Sequence, residues 1–160
     1  MRLKNRLFWI VAIIGLVLDQ LSKYWVIQNC VPNIPQKCLP LLPGVFDLTY
    51  VTNTGAAFSL FTGNVEWLRW LSLAVSLGLI ALAWFGMLNI LEQLGYGFIL
   101  GGALGNGIDR FFAGRVVDFL DFQLIQFPIF NLADVLINIG LVCLLFATFK
   151  NSPASNRRVK

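Results

Sequence analysis

Four runs of apolar residues, at about 8–27, 67–86, 95–112 and 129–149, constrain this chain more than any other feature. Each is close to the roughly 20 helical residues that cross a hydrocarbon core of about 30 Å. The supply of charge agrees with lipid-facing spans. Hydrophobic residues make up 58% of the 160 and charged residues 12%, about half the charge of an ordinary soluble domain. With a mean hydropathy of +0.75, a water-facing surface would be hard to build. The expectation is a membrane all-α fold: one membrane domain over residues 1–160, with four transmembrane helices and a small extracytoplasmic β element.

The first run begins like a signal peptide, with Arg2, Lys4 and Arg6 ahead of the apolar stretch Leu7–Leu18. Asp19-Gln20-Leu21-Ser22-Lys23 stands where a small-x-small cleavage site would be, so the run reads as a retained anchor. Four spans put both termini on one side. Arg2, Lys4, Arg6, Lys150, Arg157, Arg158 and Lys160 flank the spans there, against Lys37, Arg69, Arg110 and Arg115 on the other side. The positive-inside rule then places both termini in the cytoplasm and the loops 28–66 and 113–128 outside. The net charge of +4 is thereby spent on topology. No basic patch is interleaved with aromatics, and no nucleic-acid partner is expected.

The chain has no histidine, which excludes Ser-His-Asp and Cys-His catalysis, zincin motifs and histidine proton shuttles. Cys30, Cys38 and Cys143 lack a CxxC spacing, so no metal or redox centre is expected. Cys30 and Cys38 share one loop and form a disulfide if that loop lies outside the cytoplasm. Loop 28–66 is too long to be structureless. Pro32, Pro35, Pro40, Pro43 and Gly44 read as turns, followed by strand-like Val45–Val51 ending at Asn53-Thr54-Gly55. Residues 116–127 mix strand formers with Asp118 and Asp121, and the two strand-like stretches make up the expected β element on the outer membrane surface.

An ionisable residue inside a span costs roughly 2.5–3.5 kcal/mol on insertion scales. Asp19 and Lys23, at i and i+4 in the first span, share a face and pair with each other. In the third span Gly97, Gly101, Gly105 and Asp109 recur every fourth residue, a small-residue seam that admits another helix closely. Its outer end carries Asn106, Asp109 and Arg110, where an Asp109–Arg110 pair is the plain structural reading. In the fourth span Asn131, Asp134 and Asn138 form one polar stripe. The third span runs outward and the fourth inward, so Asp109, Asp118 and Asp134 share one depth zone. Two acids held together do not both ionise cheaply, and such a pair supplies a base for water and an acid for a carbonyl. Ser22-Lys23 is the competing catalytic pair, but adjacent residues point to different helix faces. Spacing alone does not choose among the three aspartates.

Five blocks add a resemblance: Asp19-Gln20-Leu21-Ser22-Lys23, Asn53-Thr54-Gly55-Ala56-Ala57-Phe58, Gly101 to Arg110 (GGALGNGIDR), Val117-Asp118-Phe119 and Phe130-Asn131-Leu132-Ala133-Asp134. In this order, from about residue 8 to 149, they resemble the lipoprotein signal peptidase (signal peptidase II) family of bacteria. The segment Gly105-Asn106-Gly107-Ile108-Asp109 has one residue too many for the GxGD motif of presenilin-like proteases. The resemblance implies a multi-pass aspartyl peptidase of the bacterial cell (inner) membrane, its active site near the extracytoplasmic face. It would remove signal peptides from diacylglyceryl-modified prolipoproteins, cutting on the amino side of the lipidated cysteine. It implies catalysis by Asp118 and Asp134, with Asn53, Gly55, Asn106, Asp109, Arg110 and Asn131 lining or bracing the site. Asp19 and Lys23 are read as structural. No metal or cofactor is implied, and the partners are prolipoprotein substrate and membrane lipid around a monomer. The Cys30/Cys38 pair and Phe122–Phe127 (FQLIQF) are outside the family's signatures. The alternatives are a small transport or proton-relay protein using Asp109 and Asp134, and a non-catalytic assembly subunit. A relay requires polar groups through the whole membrane depth, whereas the inner halves of spans two to four are almost wholly apolar.

Overall fold

Backbone groups inside a bilayer have no water to bond, so a segment there closes its hydrogen bonds within itself. All four apolar runs are helical. The structure, a computed structural model, describes residues 4–30, 36–55 and 65–151. In chain order these form α1 (Arg6–Asn29), β1 (Gln36–Leu42), β2 (Phe46–Asn53), α2 (Val65–Phe85), α3 (Ile90–Phe112), β3 (Val116–Phe122) and α4 (Leu132–Asn151). Arg2, Pro32, Pro35, the Ala56-Ala57-Phe58 end of the second block, Arg157, Arg158 and Lys160 lie outside the described residues.

Among the described residues, α1, α2 and α4 are long and apolar enough to cross a membrane. Their outward faces carry exposed Ile10, Ile13, Ile14 and Leu18 on α1, Trp70, Leu71 and Leu77 on α2, and Val142, Leu145 and Phe146 on α4. A surface of that kind is the reverse of a water-facing one, and the protein is membrane-integral. Helix α3 does not reach the same apolarity, because it is enclosed and needs less of it. It packs against each of the other three helices, and it carries six glycines. A Cβ at Gly97 would lie 2.8 Å from the Phe8 carbonyl oxygen, and one at Gly101 3.0 Å from that of Ala12. The expected seam Gly97–Gly101–Gly105 therefore faces α1. Gly95 and Gly102 admit α4 in the same way, and Gly107 meets Ser72 of α2.

Two boundaries differ from expectation. Helix α3 starts at Ile90, not 95, because Asn89 opens it with a capping box: its side chain accepts from Glu92 N–H at 3.0 Å while Glu92 accepts from Asn89 N–H at 2.8 Å. The acid that interrupts the apolar run is thus the signal that starts the helix. Helix α4 starts at Leu132, because Phe130 is held by strand β3.

The β element is a three-stranded antiparallel sheet in the order β1-β2-β3. Strand β1 replaces part of the turn region expected around the prolines. Pro40 sits within it, opposite Asp47, and is tolerated because β1 is an edge strand. Gly44, at φ +75°, supplies the left-handed residue of the β1–β2 turn. Cys30 and Cys38 are disulfide-bonded, tying the end of α1 to β1. Val26 and Cys30 pack with Leu48, Tyr50, Val117 and Phe119 in one buried cluster. Each fully buried Val, Leu or Phe there contributes roughly 1.5–3 kcal/mol. This cluster seats the sheet on the end of the bundle formed by the last turns of α1.

Gly101→Leu is expected to lower the unfolding midpoint in detergent by the equivalent of roughly 1–3 kcal/mol, by forcing α1 and α3 apart. Gly78→Leu serves as the comparison, since a Cβ there meets nothing within 4 Å. Thermal melts followed by circular dichroism should show loss in the first variant and none in the second.

Candidate active site

The site starts from the way α4 begins. Asn131, one residue before the helix, accepts the Asp134 N–H on its Oδ1 at 3.1 Å, and Asp134 Oδ2 accepts the Asn131 N–H at 3.2 Å. This is a reciprocal capping pair, with a carboxylate at the positive end of a helix. The spacing that read as a polar stripe is therefore a helix start, and it fixes the Asp134 side chain in one orientation.

Strand β3 brings in the second carboxylate. Its outer edge is tied to the approach to α4: Phe119 and Leu120 N–H both donate to the Phe130 carbonyl, at 2.9 and 2.8 Å, and Phe130 N–H donates to the Leu120 carbonyl at 3.1 Å. Asp118, 3% exposed, thereby faces the start of α4. Asn131 Nδ2 donates to Asp118 Oδ1 at 2.6 Å. Asn53, at the end of β2 and opposite Val116 in the sheet, donates to Asp118 Oδ2 at 2.9 Å. Asn106 on α3 closes the set: its Nδ2 donates to Asp134 Oδ1 at 3.0 Å, and its Oδ1 accepts from Asn131 Nδ2 at 3.2 Å. The two carboxylates are thus linked through two asparagine amides.

Around them, Arg110 Nη2 donates to the Gly55 carbonyl at 3.0 Å and Nη1 to the Asn106 carbonyl at 3.3 Å. Asn53 Oδ1 accepts the Gly55 N–H at 2.8 Å. The chain leaving β2 is held at both the N–H and the carbonyl of Gly55. The Asp109–Arg110 pair expected from their adjacency does not form. Consecutive residues on a helix diverge by about 100°, and Asp109 turns to α1, where its Oδ2 meets Lys23 Nζ at 2.6 Å. The expected Asp19–Lys23 pair forms at 2.8 Å. Ser22 is not part of a Ser–Lys pair: its hydroxyl donates to the Asp19 carbonyl at 2.8 Å. Gln20 is a further member of this network that spacing does not single out: its Nε2 reaches Asp19, the Gly105 carbonyl and Asp109 at 3.1–3.2 Å. An uncharged amide inside a span was the available signal.

Burial pushes the Asp118 carboxyl up to about 6, and the charge of Asp134 adds to the rise. The hydrogen bonds from Asn53 and Asn131 and the charge of Lys23 work against it. A cavity of about 1090 Å³ opens beside the pair. Asn53, Asn106, Arg110, Asp118, Asn131 and Asp134 give it a polar wall, and Phe122, Phe127, Ile129, Phe130 and Ile139 an apolar one. Phe122 and Phe130 stack, with Phe127 edge-on to both. Phe122–Phe127, which no motif explained, therefore supplies part of the apolar wall. Chemically, the arrangement offers two carboxyls at one end of a water-accessible volume, with amide and guanidinium donors beside them. Among the described residues no group of three or more His, Cys, Asp or Glu side chains is placed to hold a metal ion.

The family model for signal peptidase (SPase) II matches residues 11–150. The chain is 66% identical over 160 residues to the lipoprotein signal peptidase of Nostoc punctiforme, covering 99% of each chain. It is 63% identical over 158 residues to that of a Cyanothece species, covering 98% of this chain and 91% of the relative. Among solved structures, a bacterial membrane enzyme determined by the in meso method superposes with a TM-score of 0.83 at 28% identity, covering 94% of this chain and 91% of that one.

The raised Asp118 carboxyl links stability to pH. A carboxyl whose folded value lies above its unfolded value of about 3.9 contributes stability that is fully present below about 3.9 and lost as pH rises through the folded value. Between about pH 4 and about pH 8 the protein should lose up to roughly 3 kcal/mol at this position, a loss that Asp118→Asn should not show. Melting midpoints of both proteins across that range should diverge. Parallel curves would mean that Asp118 does not titrate there.

Proposed function

The chain belongs to the signal peptidase II family, and from that premise we propose that it is a membrane aspartyl endopeptidase acting on diacylglyceryl-modified prolipoproteins. It removes their signal peptides, cutting on the amino side of the lipidated cysteine. The observation that carries this reading is the linkage of Asp118 to Asp134 through Asn131 and Asn106 on one cavity wall. Asp118 and Asp134 are the catalytic residues, and Asn53, Gly55, Asn106, Asp109, Arg110 and Asn131 position or bind around them.

The chemistry is general acid–base hydrolysis without a covalent intermediate. At the start of the reaction one carboxyl of the pair carries a proton and the other is ionised. The ionised carboxyl takes a proton from water as the water oxygen attacks the scissile carbonyl carbon. The protonated carboxyl donates to the carbonyl oxygen. When the tetrahedral adduct collapses the C–N bond breaks, a proton passes to the departing cysteine nitrogen, and the signal peptide leaves with a new carboxyl end. The amides of Asn53, Asn106 and Asn131 hold the carboxylates in place, and the Arg110 guanidinium fixes the Gly55 peptide unit at the rim. The apolar wall receives the apolar part of the substrate. The reaction needs no metal or cofactor.

The protein is a single membrane domain of four spans in the bacterial cell (inner) membrane, with both termini cytoplasmic and the sheet and active site on the outer side. Exposed Trp67 and Trp84 on α2, about 25 Å apart along a helix at about 1.5 Å per residue, fit the two interfacial belts of a bilayer. Helix α3, as long as its neighbours and enclosed by them, crosses with them. The monomer is sufficient, since both carboxyls come from one chain. Transport or proton relay is not favoured. Among the described residues, the buried charged side chains Asp19, Lys23, Asp47, Arg110 and Asp118 all lie in the sheet or in the half of the bundle nearer to it, so they do not span its depth.

Asp118→Asn and Asp134→Asn should each lower kcat by about 10²–10⁴-fold on a diacylglyceryl-modified precursor peptide, the usual worth of a general acid or base. Asp121→Asn should retain most activity, since Asp121 accepts from Thr49 across the sheet at 2.8 Å and does not line the cavity. A folded Asp118→Asn or Asp134→Asn variant that cleaves at the wild-type rate would sink the assignment.

A further inference from the structure

Lys23 lies in α1, 3% exposed, and its ammonium has three partners: Asp19 Oδ2 at 2.8 Å, Asp109 Oδ2 at 2.6 Å and Asn106 Oδ1 at 2.9 Å. A lysine ammonium can only donate, so it meets Asn106 at the amide oxygen, while its contact with Asp109 is one of charge. Two carboxylates already exceed its charge. The third bond goes to a neutral amide that in turn reaches the proposed catalytic pair.

An asparagine amide has nearly the same shape when turned over, and only its hydrogen-bond partners choose its orientation. A group that can only donate must meet the oxygen. With Asn106 Oδ1 facing Lys23, its NH₂ faces Asp134 Oδ1 and donates at 3.0 Å. The same Oδ1 receives Asn131 Nδ2, which leaves that NH₂ group to donate also to Asp118 Oδ1 and leaves Asn131 Oδ1 to accept the Asp134 N–H. Turned over, Asn106 would set its oxygen against the Asp134 carboxylate and its NH₂ against two donors.

We infer that Lys23 is a positioning residue, whose bond to Asn106 fixes that amide's orientation and so the direction of its hydrogen bonds with Asp134 and Asn131. This rests on the catalytic reading of those two aspartates. Its positive charge also works against the effect of burial at Asp118. The plain alternative is that Lys23 only neutralises Asp19 and Asp109.

The full-length protein in detergent, assayed on a diacylglyceryl-modified precursor peptide, separates the two. Lys23→Met should lower kcat about 10²-fold, the usual cost of a misplaced catalytic group, with KM within about a factor of two. Lys23→Met/Asp109→Asn returns the local charge to its original value and should regain the melting midpoint without regaining kcat. In an Asn106→Ala background, Lys23→Met should cost no more than about threefold further, as expected for two residues acting through one interaction. Wild-type kcat in Lys23→Met, recovery of kcat in the charge-balanced variant, or losses that simply multiply would each overturn the inference. If Lys23→Met alone does not fold, the charge-balanced variant carries the comparison, and if that also fails to fold the role is structural and the inference falls. Activity in both Asp118→Asn and Asp134→Asn would remove the catalytic pair. Inactivity in both beside an unimpaired Lys23→Met would remove only the role of Lys23.

Discussion

The closeness of α3 to its neighbours is the constraint on which the rest of the structure depends. Aspartate and asparagine side chains are short, and most of the polar bonds between helices here are made by them. A Cβ at Gly105 would collide with the Asp19 carboxylate, and one at Gly102 would come within 2.5 Å of the Ala133 carbonyl oxygen. The glycines therefore do more than permit packing. They bring α1 and α4 near enough to α3 for Asn106 to touch Lys23 on one side and Asp134 on the other.

Close packing in turn makes the buried charge tolerable. Charges removed from water are stable only when paired and fully hydrogen-bonded. Asp19 accepts from Lys23, from Gln20 and from the Ala133 N–H at 2.9 Å, so one carboxylate of α1 also satisfies a backbone donor in the first turn of α4. Helix, charge and site are coupled through that residue. The same network leaves the opposite end of the bundle to a different device, in which Asn5 bonds the Ala83 and Gly86 carbonyls and the Leu88 N–H across the α2–α3 turn.

Sequence patterns disclosed faces and lengths more readily than neighbours. The apolar runs located the helices, the four-residue glycine spacing located the seam against α1, and the i, i+4 spacing located the Asp19–Lys23 pair. Local periodicity states which side of a helix a residue occupies, but not which distant helix lies there. For that reason Asp109 looked like a partner for Arg110, and Asn131 looked like one member of a stripe rather than the cap that also holds Asp118. Strand β1 was hidden for another reason: prolines argue against a central strand and say little about an edge. Spacing left Asp109, Asp118 and Asp134 equivalent. Three-dimensional pairing separates them, sending Asp109 towards Lys23 and linking the other two through Asn131.

The backbone bonds between Phe130 and Leu120 have a mechanical consequence. Helices respond to a thicker or thinner bilayer by tilting, and groups mounted on two independent helices would change their separation as they did so. Asp118 and Asp134 instead stand on one excursion of chain, clasped at its waist by those bonds and closed above by the Asn131 side chain. The excursion is fastened to the start of α4 by those bonds and seated on α1 through Val117 and Phe119. A tilt of α4 then draws strand β3 along with it, so the bonds at Phe130 and Asn131 oppose any change in the spacing of the two carboxyls.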